Sequence, residues 1–154
     1  MPKVKLNEFM EVFDLPAEWH LFVSKLDGRI VQAGTEDMEA ADEPEEEDAG
    51  LPQWQRDGVR QLREVLASDD WIDASELRYD LHEYRLLSDF AHLQKDERTR
   101  ERLFDALNGK GAFRRAKNVL HATGLRNEWF AYRDDAAKSL AREWLEANGF
   151  EADE

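Results

Sequence analysis

A chain of 154 residues with 35 acidic and 21 basic side chains carries a net charge of −14, which argues against general nucleic-acid affinity because phosphate binding rests on a basic footprint. It holds no cysteine, which excludes disulfides, thiolate metal sites and cysteine nucleophiles. The length fits a single domain, residues 1–154, and a 42% hydrophobic content with five tryptophans suffices for one core.

No run approaches the roughly 20 apolar residues that span a bilayer. The opening Met-Pro-Lys-Val-Lys-Leu-Asn-Glu is not an apolar signal segment. The expectation is a soluble, cytoplasmic protein without membrane association.

In chain order, Leu6, Phe9, Met10 and Phe13 recur at helical spacing, with Asn7 as the cap and Pro16 as the stop. Trp19, Leu21 and Val23 then alternate with His20, Phe22 and Ser24 up to Asp27-Gly28, and Arg29-Ile30-Val31-Gln32-Ala33 follows. That pattern predicts a β-hairpin closed by a type I′ turn. Residues 36–48 contain nine acids and no base, so residues 35–50 read as a self-repelling, flexible acidic loop. Leu51-Pro52 opens a helix whose apolar face is Trp54, Val59, Leu62, Val65 and Leu66.

The stretch from Trp71 to Tyr79 reads as irregular or briefly extended. Asp80 and Glu83 then stand at capping-box spacing before a helix marked by Leu86, Leu87, Phe90 and Leu93. Leu103, Phe104 and Leu107 mark the next helix, closed by Asn108-Gly109, and another runs through Phe113, Ala116 and Leu120 to Gly124. Asn127 caps the last helix, which presents Trp129, Ala136, Ala137, Leu140, Trp144 and Leu145 and ends at Asn148-Gly149. The fold class is α+β, mostly α: a bundle of about five to six helices with an N-terminal β-hairpin. Trp54, Trp129, Trp144 and Phe113 fall among aliphatics at helical spacing and are expected in the core, not on a base-stacking platform.

The runs Leu51-Pro-Gln-Trp54, His82-Glu-Tyr-Arg85, Gly111-Ala-Phe-Arg-Arg115 with Lys117, Trp129-Phe-Ala-Tyr-Arg-Asp134 and Glu143-Trp-Leu-Glu146 occur in that order. Together they resemble an uncharacterised bacterial protein family with no assigned function, over nearly the whole chain. The chain departs from that pattern at Ala116, where the family has an aromatic, and in the order of Phe130 and Tyr132. The resemblance implies a shared fold and no activity.

Residues 98–126 hold eight bases and two acids, in contrast to the rest of the chain. Lys110, Gly111, Arg114 and Arg115 stand where a helix begins. With Arg133 they compose a candidate site for phosphate or carboxylate, since a helix N-terminus offers unpaired N–H groups and partial positive charge. The competing reading has these cations pairing with Asp134, Asp135 or Glu128 to tie two helices together. The acidic run, with Glu45, Glu46, Glu47 and Asp48 as the candidate partner-binding residues, has three readings. It solubilises, it contacts the basic segment of its own chain or of a second copy in a homo-oligomer, or it engages a basic partner protein.

Other motifs fail on their chemistry. Gly109-Lys110-Gly111 is not a phosphate-binding P-loop, since Phe104 and Gly111 occupy positions that need glycine and a hydroxyl residue. His82-Glu83 lacks the second histidine of a helical zinc motif, the position being Leu86. Asp69, Asp70 and Asp73 lack the alternation and central glycine of a calcium loop. His20, His92 and His121 stand alone, and no metal or cofactor is expected. The function expected is a non-enzymatic protein-interaction or regulatory module. The alternative is an enzyme or sensor of a small anion at Arg114, Arg115 and Arg133, with Asp134 or Glu83 as an acid-base group.

Overall fold

The computed structural model describes residues 1–154 and is α+β, mostly α. The contacts gather into two compact units, Met1–Asp80 with Leu140–Glu154, and Leu81–Ser139.

The first unit runs β1 (Lys3–Lys5), α1 (Leu6–Phe9) tightening into a 3-10 turn (Met10–Asp14), β2 (His20–Ser24), β3 (Ile30–Ala33), α2 (Thr35–Asp42), a 3-10 turn (Glu45–Gly50), α3 (Gln53–Ala67), β4 (Trp71–Asp73) and a 3-10 turn (Ser75–Asp80). The second holds α4 (Glu83–His92), α5 (Glu97–Ala106), α6 (Ala112–Ala122) and the first part of α7 (Arg126–Ala147). The last turns of α7 and β5 (Glu151–Asp153) belong to the first unit.

The hairpin forms as expected, with β2 antiparallel to β3, and β4 pairs on the other side of β2 to make the order β3-β2-β4. Its turn is not type I′, which needs two residues of positive φ, because Gly28 alone has one, at 75°. The Ser24 N–H donates to the Arg29 carbonyl at 2.9 Å, and Gly28 N–H donates back to the Ser24 carbonyl at 2.9 Å, closing a longer loop. β1 and β5 pair in parallel, Lys3 opposite Glu151, a contact between distant segments each too short to show a period.

Residues 35–50 are not a loop. Glu36 and Asp37 occupy the first turn of α2, where the helix dipole favours anions, and Met38 and Ala41 pack against the cluster of Phe22, Val31, Ala33, Leu62 and Val65. Arg63 of α3 then ties the segment down. It donates to the carbonyls of Ala40 at 2.9 Å and Ala41 at 3.0 Å, and to both Asp48 oxygens at 2.8 and 3.0 Å. One guanidinium thus satisfies the C-terminal carbonyls of α2 and neutralises a carboxylate of the run that follows it.

Three expected caps are absent. α1 begins at Leu6, ahead of Asn7, and Asn127 lies inside the first turn of α7. α4 begins at Glu83 with His82 before it, so Asp80 and Glu83 form no capping box. Asp96 caps α5 instead, accepting from the Thr99 N–H at 3.1 Å. The expected core also loses members: Trp129 is buried, but Trp54 is 76% exposed and Phe113 39%. Trp144 is half-buried, stacked on Phe9 at 5.2 Å. No helix is long and apolar enough to cross a membrane.

Candidate functional site

Of the expected anion-site residues, Lys110, Gly111 and Arg115 meet at one turn, and both Arg115 and Arg133 are engaged by other groups of the chain. Gly109 and Gly111, both with positive φ, turn the chain between α5 and α6, and Arg115 folds back over that turn. Its guanidinium donates to the carbonyls of Ala106 at 3.2 Å, Asn108 and Lys110, so it caps the C-terminal end of α5. Arg133 donates to Glu83 at 2.6 Å, joining α7 to α4. Lys110 and Arg114 remain exposed, and Asp134 pairs with Lys138 one turn along its own helix at 3.4 Å. Two of the strongest cations are therefore structural, each engaged by groups that only the folded chain brings near.

The tertiary structure does assemble His20, Asp73 and Ser75. His20 Nδ1 lies 2.9 Å from one Asp73 oxygen, and the Ser75 hydroxyl donates to the other. The order is wrong for a nucleophile, because the carboxylate sits between serine and histidine, leaving no base on the serine. Ser75 is buried and its oxygen accepts from the Leu21 N–H at 2.9 Å. The group fastens β2 to the end of β4. Burial pushes the Asp73 carboxyl up, but hydrogen bonds from the Ser75 hydroxyl and N–H and from His20 outweigh it and leave it below the usual carboxylate range. No group of three or more His, Asp or Glu side chains is arranged to hold a metal ion.

A third arrangement was not anticipated. Trp19, Gln32, Gly34, Thr35, Glu36, Asp37 and Trp54 line an open groove of about 550 Å³ in the first unit. Arg78 fixes the loop carrying Trp19 by donating to the Pro16 carbonyl at 3.0 Å and the Trp19 carbonyl at 2.9 Å, and Glu18 beside it holds a positive φ of 69°. The Trp19 ring lies so close to Gly34 that a Cβ there would meet it at 2.9 Å. Asp37 accepts from the buried Gln55 Nε2 at 3.1 Å, which orients its carboxylate from α3.

Trp54, in the first turn of α3, supplies the exposed second ring. Two indoles and two carboxylates therefore share one concave surface, whose acids begin the segment 36–48. Of the expected partner-binding residues, Glu45, Glu46 and Glu47 are exposed. Asp48 is held by Arg63, whose hydrogen bonds keep its carboxyl below the usual range against the opposing effect of burial. The one sequence signal for the groove was the place of Trp54 in the first turn of its helix, two residues after Pro52.

No protein-family model matches the chain, and no curated protein or solved structure matches it.

Proposed function

We propose that this protein is a non-enzymatic interaction module that binds a basic segment of a partner protein and seats one lysine or arginine side chain between Trp19 and Trp54. The observation that carries the reading is the convergence of those rings with the Glu36 and Asp37 carboxylates in one open groove. A cation over an indole face gains about 0.5 to 2 kcal/mol, more where water is displaced. The partial positive charge at the start of α2 opposes a cation there, but two full carboxylates outweigh about half a charge.

The exposed acids Glu43, Glu45, Glu46 and Glu47 continue the negative surface, and the net charge of −14 draws cations from solution at low salt. Because Arg63 and Gln55 hold the acidic segment in place, little ordering entropy is lost on binding. The absence of cysteine accords with a reducing cytoplasm as the setting.

The test is calorimetric titration with a lysine-rich peptide at low salt and at about 0.3 M salt. Binding is expected to weaken with salt, and Trp54→Ala and Glu36→Gln are each expected to weaken it by about tenfold, roughly 1.4 kcal/mol. A glutamate-rich peptide of the same length should not bind. Equal affinity of wild type and Trp54→Ala for the basic peptide would overturn the proposal. A further arm, a peptide of residues 109–117, asks whether the basic segment of a second copy is the partner.

A further inference from the structure

A second groove, of opposite character, lies in the other unit. Lys117, Leu120 and His121 of α6 and Arg126, Trp129 and Phe130 of α7 enclose about 290 Å³. Its floor is apolar: Leu120 is 1% and Trp129 4% exposed, while Phe130 stands half out of the surface. Its rim is cationic. Lys117 and His121 are one turn apart on α6, and the Arg126 guanidinium lies 5.5 Å from the centroid of the Phe130 ring.

Ion pairing within the chain does not account for these side chains. Neither Lys117, His121 nor Arg126 has a carboxylate within ion-pair distance, although acids outnumber bases by 35 to 21 along the chain. Arg126 is moreover the first residue of α7, where the helix carries partial positive charge and a cation is disfavoured. Two permanent cations beside an apolar floor, one of them at the unfavourable end of a helix, are the complement of an anion with an apolar body.

We propose that this groove binds a small aromatic monocarboxylate, the ring resting against Trp129 and Phe130 and the carboxylate held by Arg126 and Lys117. The volume suits one ring and a short acid arm, at the lower end of the usual range for ligand sites. The chemistry is shared by a free aromatic acid and by the C-terminal aromatic residue of a peptide. Because the site lies in a different unit from the tryptophan–acid groove and takes the opposite charge, it stands or falls separately from the interaction proposed above.

Phenylacetate is the probe, titrated into the full chain at constant ionic strength and followed by the Trp129 indole N–H and the backbone amides of residues 117–130. The expected result is saturable shifts confined to those signals with a Kd on the order of 1 mM, the range for a ligand of about ten heavy atoms. Phenylethanol, neutral and of nearly the same shape, is expected to bind at least about tenfold more weakly, and Arg126→Ala and Lys117→Ala to lower phenylacetate affinity about tenfold or less each. Both variants alter exposed side chains, so the fold is retained.

Glycyl-phenylalanine with a free or an amidated C-terminus separates the two sources. Preference for the free dipeptide over phenylacetate assigns the groove to a peptide C-terminus, and the reverse assigns it to a free acid. Absence of saturation below about 10 mM, or equal binding of phenylethanol and phenylacetate, overturns the proposal.

Discussion

Replacing Gly28 by alanine tests the packing of the N-terminal strand against the hairpin loop. An alanine Cβ at this position would lie 2.1 Å from the Lys3 carbonyl oxygen, 2.9 Å from its carbon and 3.2 Å from Val4 Cγ2. Ordinary contact begins near 3.4 Å, so β1 or the loop must retreat by about 1.3 Å, and both neighbours are backbone or buried side chain. The residue also sits at φ +75°, which costs an L-residue about 1 to 2 kcal/mol.

Moving β1 disturbs Val4, which is fully buried and opposite Ala152 of β5, and losing that burial costs a further ~1.5 to 3 kcal/mol. The total is roughly 3 to 5 kcal/mol, a large share of the ~5 to 15 kcal/mol available to a folded chain, and corresponds to a melting temperature lower by about 10 °C. Thermal and urea denaturation followed by circular dichroism measure it. Gly149→Ala is the control in the same unit: its φ is +84° with no atom within 4 Å of the added carbon, so it should show only the conformational cost of about 1 to 2 kcal/mol. If Gly28→Ala costs no more than Gly149→Ala, the packing argument is wrong.

Two further outcomes are expected. Asp73→Asn should cost about 1 kcal/mol at neutral pH, measured by urea denaturation. Since the folded-state pKa of Asp73 is depressed, the stabilisation it provides is present above its unfolded value and is lost as pH falls through the folded one. The gap between wild type and variant should therefore close below the usual carboxylate range; a gap independent of pH would refute the network. Arg115→Ala, which removes the cation capping α5, should destabilise by about 1 kcal/mol, whereas its exposed neighbour Arg114→Ala should stay within about 0.5 kcal/mol. Equal effects in thermal melts would show that Arg115 is not a cap.

Periodicity and local turn chemistry carried most of the helices. The repeats of Val59, Leu62 and Val65, and of Ala116 and Leu120, are set by each residue's own neighbours in sequence, and the glycines at 109, 124 and 149 end helices by their freedom to take positive φ. The hairpin was legible for the same reason, though not its loop, because lengthening the turn from two residues to four, Lys25 to Gly28, leaves no mark on the alternation of β2. The caps were less readable: Asn7, Asp80 and Asn127 have the right chemistry at the wrong register, and a shift of one or two residues separates a cap from a first-turn residue.

What the tertiary structure alone decided concerns charge and exposure. The sequence presents Arg115, Arg133, Lys110 and Arg114 as equivalent cations, yet two of them meet carbonyls or a carboxylate, Glu83 being 50 residues away from Arg133. Nine acids within residues 36–48 read as repulsion until Arg63, 15 residues on from Asp48, satisfies the carbonyls and carboxylate of that segment. Trp54 has core spacing and lies in solvent, while Trp129 has the same spacing and is buried. Local propensity is a property of adjacent residues, so it survives in the sequence; which cation is neutralised and which indole is covered depends on partners brought together only by folding.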